Sequence, residues 1–436
     1  MITGIPALLV GLALLLGLMA TGMPVFVAFM IVNIVGIVIL MGPSGYVIFA
    51  ASLQESTTTT ALVTIPLFIL MGEILFRSNA VEVLLRSVDT LVGRITGRQF
   101  VVSIILATLF SMLSGAAMAV AAMMGRSLLP AMLSRGYDAR LSAGNILAGA
   151  SLAPLIPPSV MTIIVGTLAG VSIAGLLVAG ILPGILLALM FLGYTFTKVL
   201  IRRDLAPPVE DAGAPRSAGS ILFAFLSILP FGIIVFSVMG LILFGIATPN
   251  EAGAMGVLGA IVTAAIYRRL SIRMLAQSVA SAAKLSAMIL IILASSKLFS
   301  QLLGFTGGAT DLTRWVVDLD LGYWLMLFLL LALPFVLCMF IDQAALMLIV
   351  IPIYRPMIDS MGYDPIWFWL LFLINMTVGS ITPPFGYTLF ALRSSWRGGT
   401  LRDIYAAAWP FVALFVLAMI LVAVFPPLAT FLPGLL

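Results

Sequence analysis

Apolar runs long enough to cross a bilayer follow one another almost without pause along this chain. A crossing helix needs roughly 20 apolar residues, and such runs read near 4–20, 24–41, 61–76, 141–170, 175–197, 221–245, 251–267, 277–303, 364–392 and 405–433. Two more, 99–133 and 323–358, are each long enough to cross twice. Each is interrupted near its middle, by Ser111-Met-Leu-Ser114-Gly115 and by Ile341-Asp342-Gln343. Of all residues 63% are hydrophobic and 8% charged, where soluble domains run at about 45–50% and 25%. That leaves too little polar surface to cover a water-soluble fold. A soluble enzyme, a disordered chain and a peripheral membrane protein are excluded, and the chain reads as an all-α polytopic membrane protein.

There is no histidine, which removes histidine metal sites, triads with a histidine base and histidine proton relays. The one cysteine, Cys338, lies in an apolar run, so there is no disulfide framework and no thiolate cluster. No cofactor is expected. No basic residue precedes Arg77, so the first run reads as a span rather than a secretory signal. The net charge of +5 is spread over short loops and is not a nucleic-acid signal.

Charge sets the expected topology. If both interrupted runs are re-entrant hairpins, sixteen of the 21 basic residues fall in loops on one face: Arg77, Arg86, Arg94, Arg98, Arg135, Arg140, Lys198, Arg202, Arg203, Arg216, Arg268, Arg269, Arg273, Arg393, Arg397 and Arg402. The other face has Arg314 alone, and Arg126, Lys284, Lys297 and Arg355 lie inside apolar runs. The crowded face is then cytoplasmic and both termini are outside.

The chain also repeats itself. Pro130-Ala-Met-Leu-Ser-Arg-Gly136-Tyr137-Asp138 resembles Pro356-Met-Ile-Asp-Ser-Met-Gly362-Tyr363-Asp364, 226 residues later (356 − 130). The same offset carries Pro157-Pro158 onto Pro383-Pro384. Five expected crossings separate equivalent points, and an odd number inverts the second repeat in the membrane. Inverted repeats with interrupted helices are the architecture of secondary transporters. Each proline pair removes backbone donors and breaks its helix. The freed carbonyls must then line a buried or watery cavity, where a cation such as Na+ replaces the lost partners. Gly149, Ser151 and Ser159 surround one break, and Asn375, Gly379, Ser380 and Thr382 the other. Ser111, Ser114 and Gly115 form the first tip, and Asp342 and Gln343 the second. Intramembrane charge is costly and so marks function. Asp342 is the leading candidate, and Arg126, Arg355 and Lys297 are candidates for a substrate carboxylate. Glu73 lies near a span end, and Glu251, just after Pro249, reads as a charge at a helix start.

The expected organisation is N-terminal scaffold helices over 1–60, a first repeat over 61–200 with hairpin 99–133 and broken helix 141–170, and a cytoplasmic linker over 201–220. Scaffold helices over 221–275, a second repeat over 276–403 with hairpin 323–358 and broken helix 364–392, and a C-terminal helix over 404–436 complete it.

Several segments together resemble the large, DctM-like membrane subunit of the tripartite ATP-independent periplasmic (TRAP) transporters. They are Ile65-Pro66-Leu-Phe-Ile-Leu-Met-Gly72-Glu73, Ser111-Met-Leu-Ser114-Gly115, Leu155-Ile156-Pro157-Pro158-Ser159, Thr248-Pro249-Asn250-Glu251-Ala252 and Thr382-Pro383-Pro384-Phe-Gly386. The resemblance implies a fold similar to elevator-type carriers of the ion transporter superfamily. It implies uptake across the bacterial inner membrane driven by Na+. The substrate would be an organic acid such as a sialic acid, a dicarboxylate or a sugar acid. It implies two partners, a small four-helix membrane subunit and a periplasmic substrate-binding protein. Carried over by position, one Na+ site falls around Ser111, Ser114, Gly115 and the Asn145–Pro158 break, with Gly149, Pro157, Pro158 and Ser159. The other falls around Asp342, Gln343 and the Asn375–Pro384 break, with Gly379, Thr382, Pro383 and Pro384. The family often has Ser-Gly-Ser where this chain has Ser114-Gly115-Ala116, so a backbone carbonyl stands in for one hydroxyl. A stand-alone Na+-coupled anion carrier of similar fold is the alternative reading.

Overall fold

A computed structural model of the chain describes residues 3–78, 80–93, 95–114, 117–208, 218–396 and 398–436. All the regular elements among these residues are helical. Seven helices among them are long and apolar enough to cross a bilayer, so the chain is a multi-pass membrane protein. The longest, Ile272–Thr306, has 35 residues and at 1.5 Å per residue spans about 52 Å. That exceeds the hydrocarbon core, which is about 30 Å thick, so this helix is tilted or projects beyond it.

Eight helices carry the repeat. The run 99–133 comprises α1 (Arg98–Ser114) and α2 (Ala117–Ser134), followed by α3 (Ala139–Ala150) and α4 (Val160–Ala169) on either side of the first proline pair. In the second half, α5 (Tyr323–Cys338) and α6 (Gln343–Met361) precede α7 (Pro365–Gly379) and α8 (Tyr387–Ser395). The second helices of the pairs start 226 residues apart (343 − 117), as do the first halves of the broken helices (365 − 139). Both proline pairs contain a cis peptide bond.

The repeated Gly-Tyr-Asp has a local cause. Gly136 and Gly362 take positive φ, +82° and +72°, a conformation that ends a helix and favours glycine. Two residues later an aspartate starts the next helix. Asp138 accepts the Leu141 N–H at 2.8 Å and Asp364 the Trp367 N–H at 2.9 Å. The motif thus encodes one helix stop and one helix start, twice. Thr248 and Glu251 form a reciprocal capping box in the same spirit, so Glu251 is a helix-start charge. Beside them, the Asn250 amide donates to the Thr60 carbonyl at 2.7 Å. Asn250 also accepts from the Thr64 hydroxyl, which ties Thr248-Pro249-Asn250-Glu251 to the segment before Ile65-Pro66.

The two halves pack reciprocally. Within each half, both helices of the pair touch the first part of their own broken helix. Across halves, α2 packs on α8 and α6 packs on α4. A β-carbon on Gly125 would lie 2.7 Å from Leu392 and 2.9 Å from Ser395, so α2 and α8 meet closely there. Pro352, inside α6, leaves the Leu348 carbonyl without its helical donor. The Ser296 hydroxyl of the long helix supplies one at 2.6 Å.

Three helices did not stand out as apolar runs: Pro43–Thr58, Ala80–Val92 and Gly308–Asp318. The stretch 202–208 is also folded. The Asp138 N–H donates to the Leu205 carbonyl at 2.9 Å and Ala206 is buried, so the linker's first part is packed against α3.

Gly149 is where α1 and α3 come closest, because a β-carbon there would lie 2.7 Å from the Ile104 carbonyl and from Ala107. Gly149→Ala should therefore lower the thermal unfolding midpoint of the detergent-solubilised protein, by the equivalent of about 1–3 kcal/mol. Gly232→Ala, which meets nothing within 4 Å inside a helix, should leave it unchanged or raise it.

Candidate functional site

At the first break, α3 ends at Ala150 and α4 begins after Ser159. The Ser111 hydroxyl of α1 donates to the Ala150 carbonyl at 2.9 Å, which brings the end of the first pair onto the break. The Ser114 side chain and Gly115 lie outside the described residues. The freed carbonyls are not bare. Pro158 leaves the Pro154 carbonyl without its helical donor, and Ser159 and Thr162 both donate to it at 2.8 Å, while Ser151 adds a second bond to the Leu147 carbonyl at 2.8 Å. Each hydroxyl spends its hydrogen inward and keeps oxygen lone pairs as acceptors. Gly149 serves close packing one turn before the break, whose turn carries Pro157 and Pro158. Asn145 differs from the expectation. It is fully buried, its Oδ1 accepts from Thr195 of helix Ile181–Ile201 at 2.8 Å, and its Nδ2 has no partner among the described residues. It sits more than one turn before the end of α3, so the side chain faces a packed neighbour rather than Ser111.

At the second break the tip and the broken helix meet through side chains. Asp342 caps α6, its Oδ1 accepting the N–H groups of Ala344 at 3.0 Å and Ala345 at 3.3 Å. The residue is exposed, so the capping carboxylate stands at the surface of the tip. Gln343 is buried. Its Oε1 accepts the Tyr387 hydroxyl of α8 at 3.2 Å and its Nε2 has no partner among the described residues. Phe340 and Phe385 meet at 5.2 Å between ring centroids, closing tip against break from the apolar side. Gly379 lets α7 touch Cys338, since a β-carbon there would lie 2.6 Å from it. As in the first break, Ser380 and Thr382 donate to carbonyls of their own helix, Thr377 and Val378, both at 2.7 Å. Pro383 and Pro384 form the turn, and the Pro384 carbonyl accepts the Tyr405 hydroxyl at 2.5 Å. Asn375 holds α5, donating to the Leu331 carbonyl at 2.8 Å, and its Oδ1 is buried without a partner.

Sequence reasoning passed over Tyr387, Thr162 and Thr388. The last two are buried and occupy the same repeat position, 226 residues apart (388 − 162). The offset that aligned the prolines could have found them. Their surroundings differ: Thr162 donates to Pro154, whereas the Thr388 Oγ1 has no partner among the described residues.

The internal cations separate clearly. The Arg355 guanidinium lies over Gly170, where α4 ends, a position in which a cation meets the negative end of the helix dipole. Lys297 is half-buried on the long helix, next to the Ser296 that bonds α6. Arg126 is exposed and has no carboxylate partner among the described residues. Glu73 pairs with Arg77 at 3.0 Å, one turn along its own helix.

The arrangement therefore offers hydroxyl, carbonyl and amide groups at two breaks, and one carboxylate at the second. Buried polar atoms without partners cost free energy, so the Thr pair is a direct probe of where a ligand is needed. Thr162→Val should destabilise the ligand-free protein by about 1 kcal/mol, the scale of one lost hydrogen bond. Thr388→Val should be neutral or stabilising in the same thermal melt, yet impair ligand-dependent stabilisation. A uniform loss in both would mean that Thr388 is only structural.

The comparisons with known proteins come down on one side. The family described as "Tripartite ATP-independent periplasmic transporter, DctM component" matches residues 12–428. The ectoine TRAP transporter large permease protein TeaC of Halomonas elongata is 30% identical, covering 97% of this chain and 98% of that protein. The C4-dicarboxylate TRAP transporter large permease protein DctM of Rhodobacter capsulatus is 28% identical, with coverages of 97% and 98%. The 2,3-diketo-L-gulonate TRAP transporter large permease protein YiaN of Escherichia coli is 30% identical, with coverages of 98% and 99%. Among solved structures, the YdaH transporter of Alcanivorax borkumensis shares the fold, with a TM-score of 0.64 over 89% of this chain and 90% of that one at 17% identity. The chain belongs to the DctM family of TRAP transporter large permeases.

Proposed function

We propose that this permease carries out Na+-coupled uptake of a small organic acid, and that Na+ binds at the two pairs of tip and break. The observation that carries this reading is the second pair. There the buried Gln343 Nε2 and Thr388 hydroxyl lack partners among the described residues, beside the exposed Asp342 carboxylate at the tip. Burying such groups unsatisfied is costly, and an ion with its substrate would remove that cost. Among the described residues no three His, Cys, Asp or Glu side chains gather into a metal cage. The ligands available are mostly neutral oxygens, which suits a monovalent cation released on every cycle. At the first pair the acceptors would be Ser111, Ser159, the carbonyls around Pro157 and, outside the described residues, Ser114 and Gly115.

The names of the relatives support the substrate class. Two of them are named for C4-dicarboxylate and for 2,3-diketo-L-gulonate, both carboxylates. Of the three internal cations proposed for a carboxylate, Arg355 sits against a helix end, which leaves Arg126 and Lys297 as the candidates. Coupling requires that Na+ and substrate bind one conformation better than the other, since a ligand with equal affinity for both shifts nothing. We assign the movement to an elevator-like shift of the eight repeat helices against the remaining ones. The cation-rich loops would face the cytoplasm and both termini the periplasm. A periplasmic binding protein would deliver the substrate, and a small four-helix subunit would complete the membrane complex.

Proteoliposomes test this directly. With the small subunit and the binding protein present, uptake should require an inward Na+ gradient, and Asp342→Asn should cut its rate by about tenfold or more through loss of a charge-assisted contact. Unchanged uptake with K+ in place of Na+ and no proton gradient would overturn the coupling. Robust uptake by the chain alone would select the stand-alone carrier.

A further inference from the structure

A second polar pocket lies away from both breaks, at one end of the helix bundle. The start of α3, the end of helix Ile181–Ile201 and the helix Leu401–Val424 meet there around a cavity of about 240 Å³. Arg140, Tyr194, Lys198 and Arg202 line it, with Phe411 among its apolar walls. The pocket is built rather than incidental. The turn after Arg202 is pinned to α3 by the bond from the Asp138 N–H to the Leu205 carbonyl, at 2.9 Å.

The nearby carboxylates are already committed. Asp138 caps α3 through the Leu141 N–H at 2.8 Å. Asp403 takes Arg140 at 2.9 Å and also caps its own helix by accepting from Thr400. Lys198 and Arg202 have no carboxylate partner among the described residues. The Lys198 ammonium rests 5.7 Å from the centre of the Tyr194 ring, which holds it at the cavity without neutralising it. Lys198 and Arg202 are one helical turn apart, so both reach the same space. Leu141, Leu205 and Ala407 complete the apolar part of the lining.

We propose that this pocket binds a phosphate group through Lys198 and Arg202, the source being the headgroup of an anionic phospholipid. The lining carries three cations, Arg140, Lys198 and Arg202, against the one carboxylate of Asp138. An excess of positive charge draws an anion, and basic pockets between helices at a membrane face suit lipid headgroups. Arginine matches phosphate oxygens with its planar fork, and lysine adds a point charge. The membrane supplies such headgroups at high local concentration. Arg140 stays with Asp403 and helps to shape the cavity.

The test uses the whole purified chain in detergent, with dioctanoyl phosphatidylglycerol, dioctanoyl phosphatidylcholine and inorganic phosphate as probes and thermal stabilisation as the readout. Phosphatidylglycerol should stabilise the protein, and Lys198→Gln with Arg202→Gln should weaken that response by about tenfold or more. Lys198→Arg should keep it, as should Arg269→Gln with Arg273→Gln, which removes two exposed cations elsewhere. Size-exclusion profiles and the Lys198→Gln and Arg202→Gln single variants separate lost binding from lost folding. Stabilisation by phosphatidylglycerol alone supports the lipid headgroup. An equal response to inorganic phosphate supports the phosphate site and replaces its source by a soluble anion. A double variant that responds like the parent, or a control pair that loses as much, overturns the site.

Discussion

Hydrocarbon offers no hydrogen bonds, and this chain breaks two helices in segments that read as membrane-buried. Every carbonyl released by the proline pairs must therefore find a donor inside the protein. The chain supplies donors from close range. Ser159 and Thr162 serve the Pro154 carbonyl at the first break, and the Thr388 N–H and the Tyr405 hydroxyl serve the Ser380 and Pro384 carbonyls at the second. Ser151, Ser380 and Thr382 add second bonds to carbonyls just before the breaks. This explains why small hydroxyl residues crowd the prolines. It also changes what a bound cation would meet. The hydroxyls have spent their hydrogens on the backbone, so the breaks are held in shape by the protein's own groups. A site built this way loses little to reorganisation when it binds.

Holding the breaks requires that something be pressed against them, and the reciprocal packing supplies it. Each half contributes α2 or α6 to the other half's α8 or α4. Neither half could close its own broken helix alone. Gly125 permits one of these crossings and the Arg355–Gly170 contact marks the other. The repeat is thus more than a trace of duplication, since its two copies complete each other as the surfaces of a symmetric dimer do.

Much of this was legible in the sequence, and the reasons differ by residue. The prolines, the Gly-Tyr-Asp stops and the Thr248–Glu251 box act on the backbone within a few residues, so local reading suffices. Asn145, Asn375 and Arg355 were harder. Their residue types suit a site, but their partners are Thr195, Leu331 and Gly170, none of which sequence spacing brings near. Helices Ala80–Val92 and Gly308–Asp318 were missed because run length was the criterion. Glu82, Arg86 and Asp89 in one, and Asp311, Arg314 and Asp318 in the other, interrupt the apolar runs at helical spacing. Their period of three to four residues is the mark of an amphipathic helix. Tyr387 had no signal of its own, since its counterpart by the repeat offset is Met161.

That last mismatch points to a division of labour. The backbone frame is shared between the halves, but the chemistry placed on it is not. By the same offset, Asp342 and Gln343 correspond to Ala116 and Ala117. The second tip carries a carboxylate and an amide where the first has methyl groups. An anionic substrate and a cation need opposite surroundings, and two identical sites would provide the same surroundings twice. With the carboxylate confined to one half, the first break offers only neutral oxygens and costs an approaching anion no repulsion. Symmetric scaffolding with asymmetric charge therefore gives two equivalent breaks different electrostatic surroundings on one shared frame.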